Sequence, residues 1–147
     1  MFFRTKDERL FFITKETEER NEQYIDVLIA RDIDFNEIGF LKYKVGKDKA
    51  YLYNIQVTEE NYLNKGVGHH LISEFEKDLI DRKVDFINGK YYPEGIGGSF
   101  AKSFYERHGY KIECYGQGDW EVVKYLDLSL DIKSNVKEEK APTFNEN

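Results

Sequence analysis

The spacing of apolar residues changes along the chain, from the two-residue alternation of strands to the four-residue recurrence of helices and back. Arg9–Lys15 holds Leu10, Phe11, Phe12 and Ile13 in a row and reads as a strand. Residues 16–23 have no apolar face to bury, so they read as a loop, a hairpin tip or one polar helical turn. Tyr24–Arg31, Ile38–Val45 and Ala50–Val57 are strand-like, and Asp32–Glu37 and Gly46–Lys49 between them carry turn residues, which predicts an antiparallel meander. In the last of the three the alternation breaks at Tyr53 and Asn54, the mark of a bulge or a widened pairing.

From Gly66 to about Lys83, Val67, Leu71, Phe75 and Leu79 recur every fourth residue with Ile72 and Ile80 beside them, while Glu74, Lys77, Asp78 and Asp81 lie off the stripe. This predicts an amphipathic helix. Val84–Asn88 follows at the place of a strand parallel to the one before the helix, completing a βαβ unit. Beyond a flexible Gly95–Gly98 loop, Phe100, Ala101, Phe104, Tyr105 and His108 share a helical face. Gly109 stands at the left-handed cap position, so a second helix is predicted over 99–108. Tyr110–Tyr115 and Trp120–Leu128 read as two closing strands. The fold class is α+β: a mixed, mostly antiparallel sheet of about seven strands, packed by two main helices.

Composition narrows the setting. With 147 residues, 40% hydrophobic and two prolines, the chain has the make-up of one globular domain, assigned to residues 1–128, and a polar tail over 129–147 is expected to fray. The net charge of -6 comes from 28 acidic and 22 basic residues that are interleaved, with no basic stripe, which argues against nucleic acid as a partner. Apolar runs fall far short of the roughly 18 residues of a membrane helix, and Met1–Glu8 turns charged too soon for a secretory signal, so a cytoplasmic protein off the membrane is expected. Cys114 is the only cysteine, which excludes an intramolecular disulfide and a multi-cysteine metal site; it is expected as a small buried hydrophobe. His69 and His70 are neighbours on a helix, about 100° apart, and cannot chelate one ion together, so no metal is expected. Trp120 and Tyr125 are expected to pack the closing strands or to line a site or an interface.

The strand ending in Ile55, Gln56 and Val57 feeds a loop, Asn64-Lys65-Gly66-Val67-Gly68-His69, that opens the long helix. Several backbone N–H groups then point at one spot at the positive end of the helix dipole, where a phosphate or pyrophosphate binds. Glycines let the backbone approach such an anion without a Cβ in the way, although two glycines also simply ease a tight turn.

In Tyr51–Ile72, with Lys65-Gly66-Val67-Gly68 at its centre, and in Ala101-Lys-Ser-Phe-Tyr-Glu-Arg-His-Gly-Tyr110, the sequence resembles the GNAT superfamily of acyl-CoA-dependent N-acyltransferases. The first stretch is similar to the family's fourth strand, pyrophosphate loop and third helix; the second is similar to its Ala-x-x-Phe-Tyr-Glu-x-x-Gly-Phe signature. The resemblance runs from about Tyr24 to Leu128. It implies splayed fourth and fifth strands that admit the pantetheine arm, acetyl-CoA as the acyl donor, and a primary amine of a small molecule or peptide as the acceptor that attacks directly. Ile55, Gln56, Val57, Asn64, Lys65, Gly66, Val67, Gly68, His69, Ser99 and Tyr105 would then bind the cofactor, with His69 and His70 near its phosphates. Tyr105 would protonate the departing thiolate, and Glu59 or Glu60 would accept the amine proton. The plainer readings are a core aromatic for Tyr105 and solvated loop carboxylates for the two glutamates.

Departures from the pattern matter as much. Leu63 stands where the family has Arg or Gln, the loop after Val57 is one residue longer, and Gly98 stands where an Asn is common. Lys65 is the substitute cation within the loop. Only about ten residues separate the first two strands, where the family places two helices that wall the acceptor site. An open acceptor pocket, or one completed by a second subunit in a homodimer, is the expectation. A non-catalytic acyl-CoA-binding or dimerising scaffold is the alternative to an enzyme.

Overall fold

The computed structural model describes residues 1–93 and 98–129, with only the backbone of 98–100. Its elements are β1 (Phe2–Arg4), β2 (Leu10–Arg20), β3 (Gln23–Asp32), β4 (Glu37–Val45), β5 (Ala50–Val57), α1 (Val67–Asp81), β6 (Phe86–Tyr91), α2 (Gly98–Arg107), β7 (Lys111–Cys114) and β8 (Trp120–Tyr125). They build one eight-stranded sheet in the order β1-β2-β3-β4-β5-β6-β8-β7, antiparallel everywhere except between β5 and β6. A short 3-10 turn, Glu60–Tyr62, lies between β5 and α1.

Two strands differ from the sequence reading for physical reasons. β1 has three residues, too few for any period to register, and pairs Phe2 with Phe12 and Phe3 with Phe11. β2 continues through Glu16–Arg20, a stretch without an apolar face that had read as loop, hairpin tip or helical turn. Only β3 pairs with that half of β2, so it is a sheet edge where charged side chains are at home. Glu16 meets Arg31 at 3.3 Å and Glu18 meets Lys42 at 3.2 Å, which spreads long side chains over Val27 and Ile25. The hairpin tip is Asn21-Glu22, both at positive φ (51° and 64°), the turn that matches strand twist. β6 also starts two residues later than Val84, which instead packs into the core.

The core lies between one face of the sheet and the two helices. Val67, Leu71, Ile72, Phe75 and Leu79 of α1 are buried against Leu28, Leu41, Leu52 and Tyr43. Each such side chain withdrawn from water contributes about 1.5–3 kcal/mol. Tyr43 is fully buried and its hydroxyl donates to Asp78, which Lys15 and Arg82 also approach at 3.2 Å. Burial, then the Asp78 carboxylate, push the Tyr43 hydroxyl far above its ordinary pKa. On the other side of α1, Glu76 accepts from Tyr110 Oη at 2.8 Å and from Lys124 Nζ at 3.0 Å, tying the helix to β8 and the approach to β7.

The opposite sheet face carries no helix among the described residues. Ile25, Val27 and Ile29 are covered there by cross-strand neighbours, and Phe2, Phe12 and Phe35 form an edge-to-face cluster near the start of β2. Cys114 is exposed on edge strand β7 rather than buried, because among the described residues β7 pairs only with β8. Tyr125 does not pack inward either; it is 76% exposed and its ring rests against Phe86 on the helix-free face. Trp120 is half-buried against the core. Of the expected Gly95–Gly98 loop, Gly98 instead opens α2 and the rest lies outside the described residues, as does the tail beyond 129. Among the described residues no helix is long and apolar enough to cross a membrane.

Candidate functional site

The parallel pairing of β5 and β6 spans three residues, Ala50 to Leu52 against Ile87 to Gly89, and then stops while both strands continue, to Val57 and Tyr91. The strands therefore splay. The parting point is set by Gly89, where an added Cβ would lie 2.5 Å from the Leu52 carbonyl oxygen, so only glycine permits this approach. Just beyond it, the β4–β5 register shifts between Lys42–Asn54 and Tyr43–Leu52 and leaves Tyr53 without a partner, the bulge that the broken alternation announced. The bulge turns Ile55 and Val57 toward the core side beside the gap.

Next to this gap lies a cleft of about 710 Å³ between the end of β5, the start of α1 and one side of α2. The loop residues Asn64, Lys65, Gly66, Val67, Gly68 and His69 line it with Ile55, Gln56, Val57 and Tyr105. The two glycines serve different ends. Gly66 is the N-cap of α1 at φ 96°, a conformation that side chains resist. At Gly68 a Cβ would meet the Phe104 ring at 3.1 Å, so this glycine lets α1 and α2 close together. The N–H groups of Val67, Gly68 and His69 have no backbone acceptor among the described residues, as expected for a first helical turn, and these three residues line the cleft.

The wall is charged in one sense only. Arg4, Lys6, Lys65 and Arg107 line the cleft, and no described Asp or Glu does, in a chain with 28 acidic residues. Added to the helix dipole, this makes a locally positive pocket in a negative protein. Glu59 and Glu60 are exposed beside the 3-10 turn and do not line the cleft.

Tyr105 projects from α2 into the cleft wall and is 9% exposed. Burial pushes its hydroxyl up to about 12, and its hydroxyl has no hydrogen-bond partner among the described residues. Ser99 is in the first turn of α2, with its side chain outside the described residues. His69 and His108 face each other across the cleft rim with Nδ1 and Nε2 at 3.0 Å, and His108 Nδ1 donates to the Phe104 carbonyl at 2.8 Å. That second bond leaves Nε2 of neutral His108 as the acceptor and makes His69 Nδ1 the donor. Burial, with His108 and Lys6 nearby, holds His69 below its ordinary pKa.

Sequence reasoning missed the N-terminal contribution. Arg4, at the end of β1, and Thr5 and Lys6, in the turn that follows, line the same cleft. The only signal was the charged run at Arg4–Glu8, which had been read only as too charged for a secretory signal.

No family model and no curated protein sequence matches the chain, but solved structures do. The chain is similar to the PaiA N-acetyltransferase of Thermoplasma acidophilum in complex with coenzyme A, at 27% identity and TM-score 0.61, over 69% of this chain and 60% of that one. An acetyltransferase of the GNAT family from Staphylococcus aureus Mu50 aligns at TM-score 0.60 and 15% identity, over 70% of this chain and 68% of that one. The NatC complex bound to Gag peptide and coenzyme A aligns at TM-score 0.58 and 20% identity, over 69% of this chain and 71% of that one. The splayed parallel pair, the bulge just beyond it and the helix that opens at Gly66 thus sit in a GNAT-like fold, that of acyl-CoA-dependent N-acyltransferases.

Proposed function

We propose that the protein transfers an acetyl group from acetyl-CoA to a primary amine. The observation that carries this reading is the convergence, in one positively charged cleft, of unpaired amides at the start of α1, the splayed edge of β5 and the hydroxyl of Tyr105. Pyrophosphate would lie on the loop of residues 64–69, and pantetheine would run into the β5–β6 gap, bonded by backbone groups of Ile55 to Val57.

A neutral amine attacks the thioester carbonyl carbon, forming the C–N bond, while backbone N–H groups near Ile55 to Val57 stabilise the oxyanion. The C–S bond then breaks, Tyr105 Oη gives its proton to the thiolate sulfur, and the proton shed by the amine passes to water, which reprotonates the tyrosinate. The raised pKa of Tyr105 keeps it protonated at neutral pH, ready to act as the acid. The same dry surroundings raise the basicity of the thiolate that leaves beside it.

A primary amine acceptor suits a chain with net charge -6, and the helix-free face holds a hollow of about 380 Å³ floored by Val27 and Ile29 and edged by Glu16, Glu18 and Glu37. A second reading, an acyl-CoA-binding scaffold without catalysis, is favoured by one observation: no described carboxylate lines the cleft to take the amine proton. Calorimetric titration with acetyl-CoA and coenzyme A, followed by thiol release with a panel of amines, separates the two. Micromolar binding with turnover supports the transferase, binding without turnover on any amine supports the scaffold, and no binding up to millimolar refutes both.

A further inference from the structure

We propose that the turn between β1 and β2 belongs to the phosphate site, and that Lys6 supplies the cation missing from the loop at Leu63 and holds the coenzyme's pyrophosphate. The inference rests on the acyl-CoA reading and adds to it a residue nearly 60 positions upstream of the loop.

The turn is built rigidly. Thr5 is 3% exposed; its N–H donates to the Arg9 carbonyl at 2.9 Å, and its Oγ1 accepts from the Arg9 N–H at 2.9 Å. The turn is then fastened to the segment leading into α1 at three points. The Lys6 N–H donates to the Lys65 carbonyl at 2.9 Å, Arg9 Nη2 donates to the Asn61 carbonyl at 2.7 Å, and the Arg9 guanidinium lies 3.9 Å over the Tyr62 ring. Of the two acids of the turn, neither of which lines the cleft, Glu8 lies 3.9 Å from Arg4, and Asp7 is engaged by Thr5 and Arg9, which hold its carboxyl below the usual range. Its charge is thereby matched within the turn.

Lys6 is what this fastening delivers. Its side chain runs over the N-cap of α1: a Cβ placed on Gly66 would find Lys6 Cγ at 4.0 Å, the one contact from outside the helix start among the described residues. Its ammonium is exposed, pairs with no described carboxylate, and is close enough to His69 to disfavour protonation of that ring. A cation over the first turn of a helix is unfavourable unless an anion sits between them. Leu63, by contrast, is 47% exposed and presents no charge.

The test is calorimetry on the full chain and on Lys6→Gln, with Lys47→Gln in the distant β4–β5 turn as a control for net charge. Each is titrated with coenzyme A, dephospho-coenzyme A and pantetheine. The Lys6 contact to the loop is made by its backbone, so Lys6→Gln keeps the fold, checked by an unchanged melting temperature. Expected is a loss of about tenfold or more in affinity for coenzyme A and dephospho-coenzyme A, no change for pantetheine, and no comparable loss in Lys47→Gln. Wild-type affinity in Lys6→Gln overturns the inference and leaves the acyl-CoA reading intact. A loss confined to coenzyme A overturns the pyrophosphate assignment in favour of the 3′-phosphate, and a loss that extends to pantetheine overturns a phosphate role. Failure of the wild type to bind coenzyme A overturns both readings together.

Discussion

Replacing Gly89 by Ala tests whether the parting of β5 and β6 is pinned where the strands last touch. The new Cβ would lie 2.5 Å from the Leu52 carbonyl oxygen and 3.2 Å from Leu52 Cβ. Carbon contacts at rest are about 3.5–4.0 Å, so the strands must separate by close to 1 Å. The obstacle is backbone on a strand held from its other side by β4, and no rotamer change relieves it. Overpacking of this kind costs about 1–3 kcal/mol, and widening a ladder of three residues loosens one or two hydrogen bonds at about 1 kcal/mol each. The expected total is about 2–4 kcal/mol, a substantial part of the 5–15 kcal/mol typical of a domain. Thermal unfolding followed by circular dichroism should fall by about 6–15 °C, and urea unfolding should move to a lower midpoint at unchanged slope. Because Gly89 sets the mouth of the proposed pantetheine channel, coenzyme A affinity should fall as well. A variant melting within about 1 °C of the parent would refute the close approach and the geometric account of the splay.

Three further expectations follow from the site and core. Tyr105→Phe should lower kcat by about a hundredfold or more with coenzyme A affinity nearly unchanged, measured by thiol release and calorimetry; unchanged turnover removes Tyr105 as the acid. Coenzyme A binding should take up protons and strengthen as pH falls through the histidine range. His69 is held low in the free protein, a bound phosphate raises it again, and His69→Gln should flatten this dependence in paired-buffer calorimetry. In the core, burial works against ionisation of Asp78, but Tyr43, Arg82 and Lys15 together hold its pKa below 3.8. Its folded-state pKa is depressed, so its contribution is present above the unfolded value and is lost as pH falls through the folded one. Asp78→Asn should be less stable than the parent by about 1–2 kcal/mol at neutral pH, with a shallower loss below about pH 4 in urea titrations.

The elements carrying the cleft were legible where local pattern governs local structure. The fourfold recurrence from Val67 to Leu79 marks α1, and the broken alternation at Tyr53 marks a real bulge, because both follow from which face a side chain must take. Tyr105 was visible as part of a helical face and as a match to a motif. The strap at Thr5–Arg9 was not, since its meaning lies in bonds to Asn61, Tyr62 and Lys65, and nothing within nine residues of the start encodes that contact. Glu16–Arg20 misled because edge strands tolerate charge on both faces. Cys114 misled because a small sulfur side chain carries no sign of whether its strand is central or terminal.

The brief pairing of β5 with β6 also makes the molecule mechanically two plates. One comprises β1 to β5, the other β6 to β8, and the hinge between them is three residues long on each side. What braces the hinge is Glu76 on α1, which reaches across to Tyr110 and Lys124 of the second plate, while Lys124 also caps the His108 carbonyl at 2.7 Å. A load applied to the open side of the gap therefore falls on a ladder of only three residue pairs and on the contacts of α1 with the second plate, Glu76 with Tyr110 and Lys124 and His69 with His108. Within β5 and β6, amide exchange should accordingly be faster along Asn54–Val57 and Lys90–Tyr91, each paired on one side only, than along Ala50–Leu52 and Ile87–Gly89, and pulling the two plates apart should begin there.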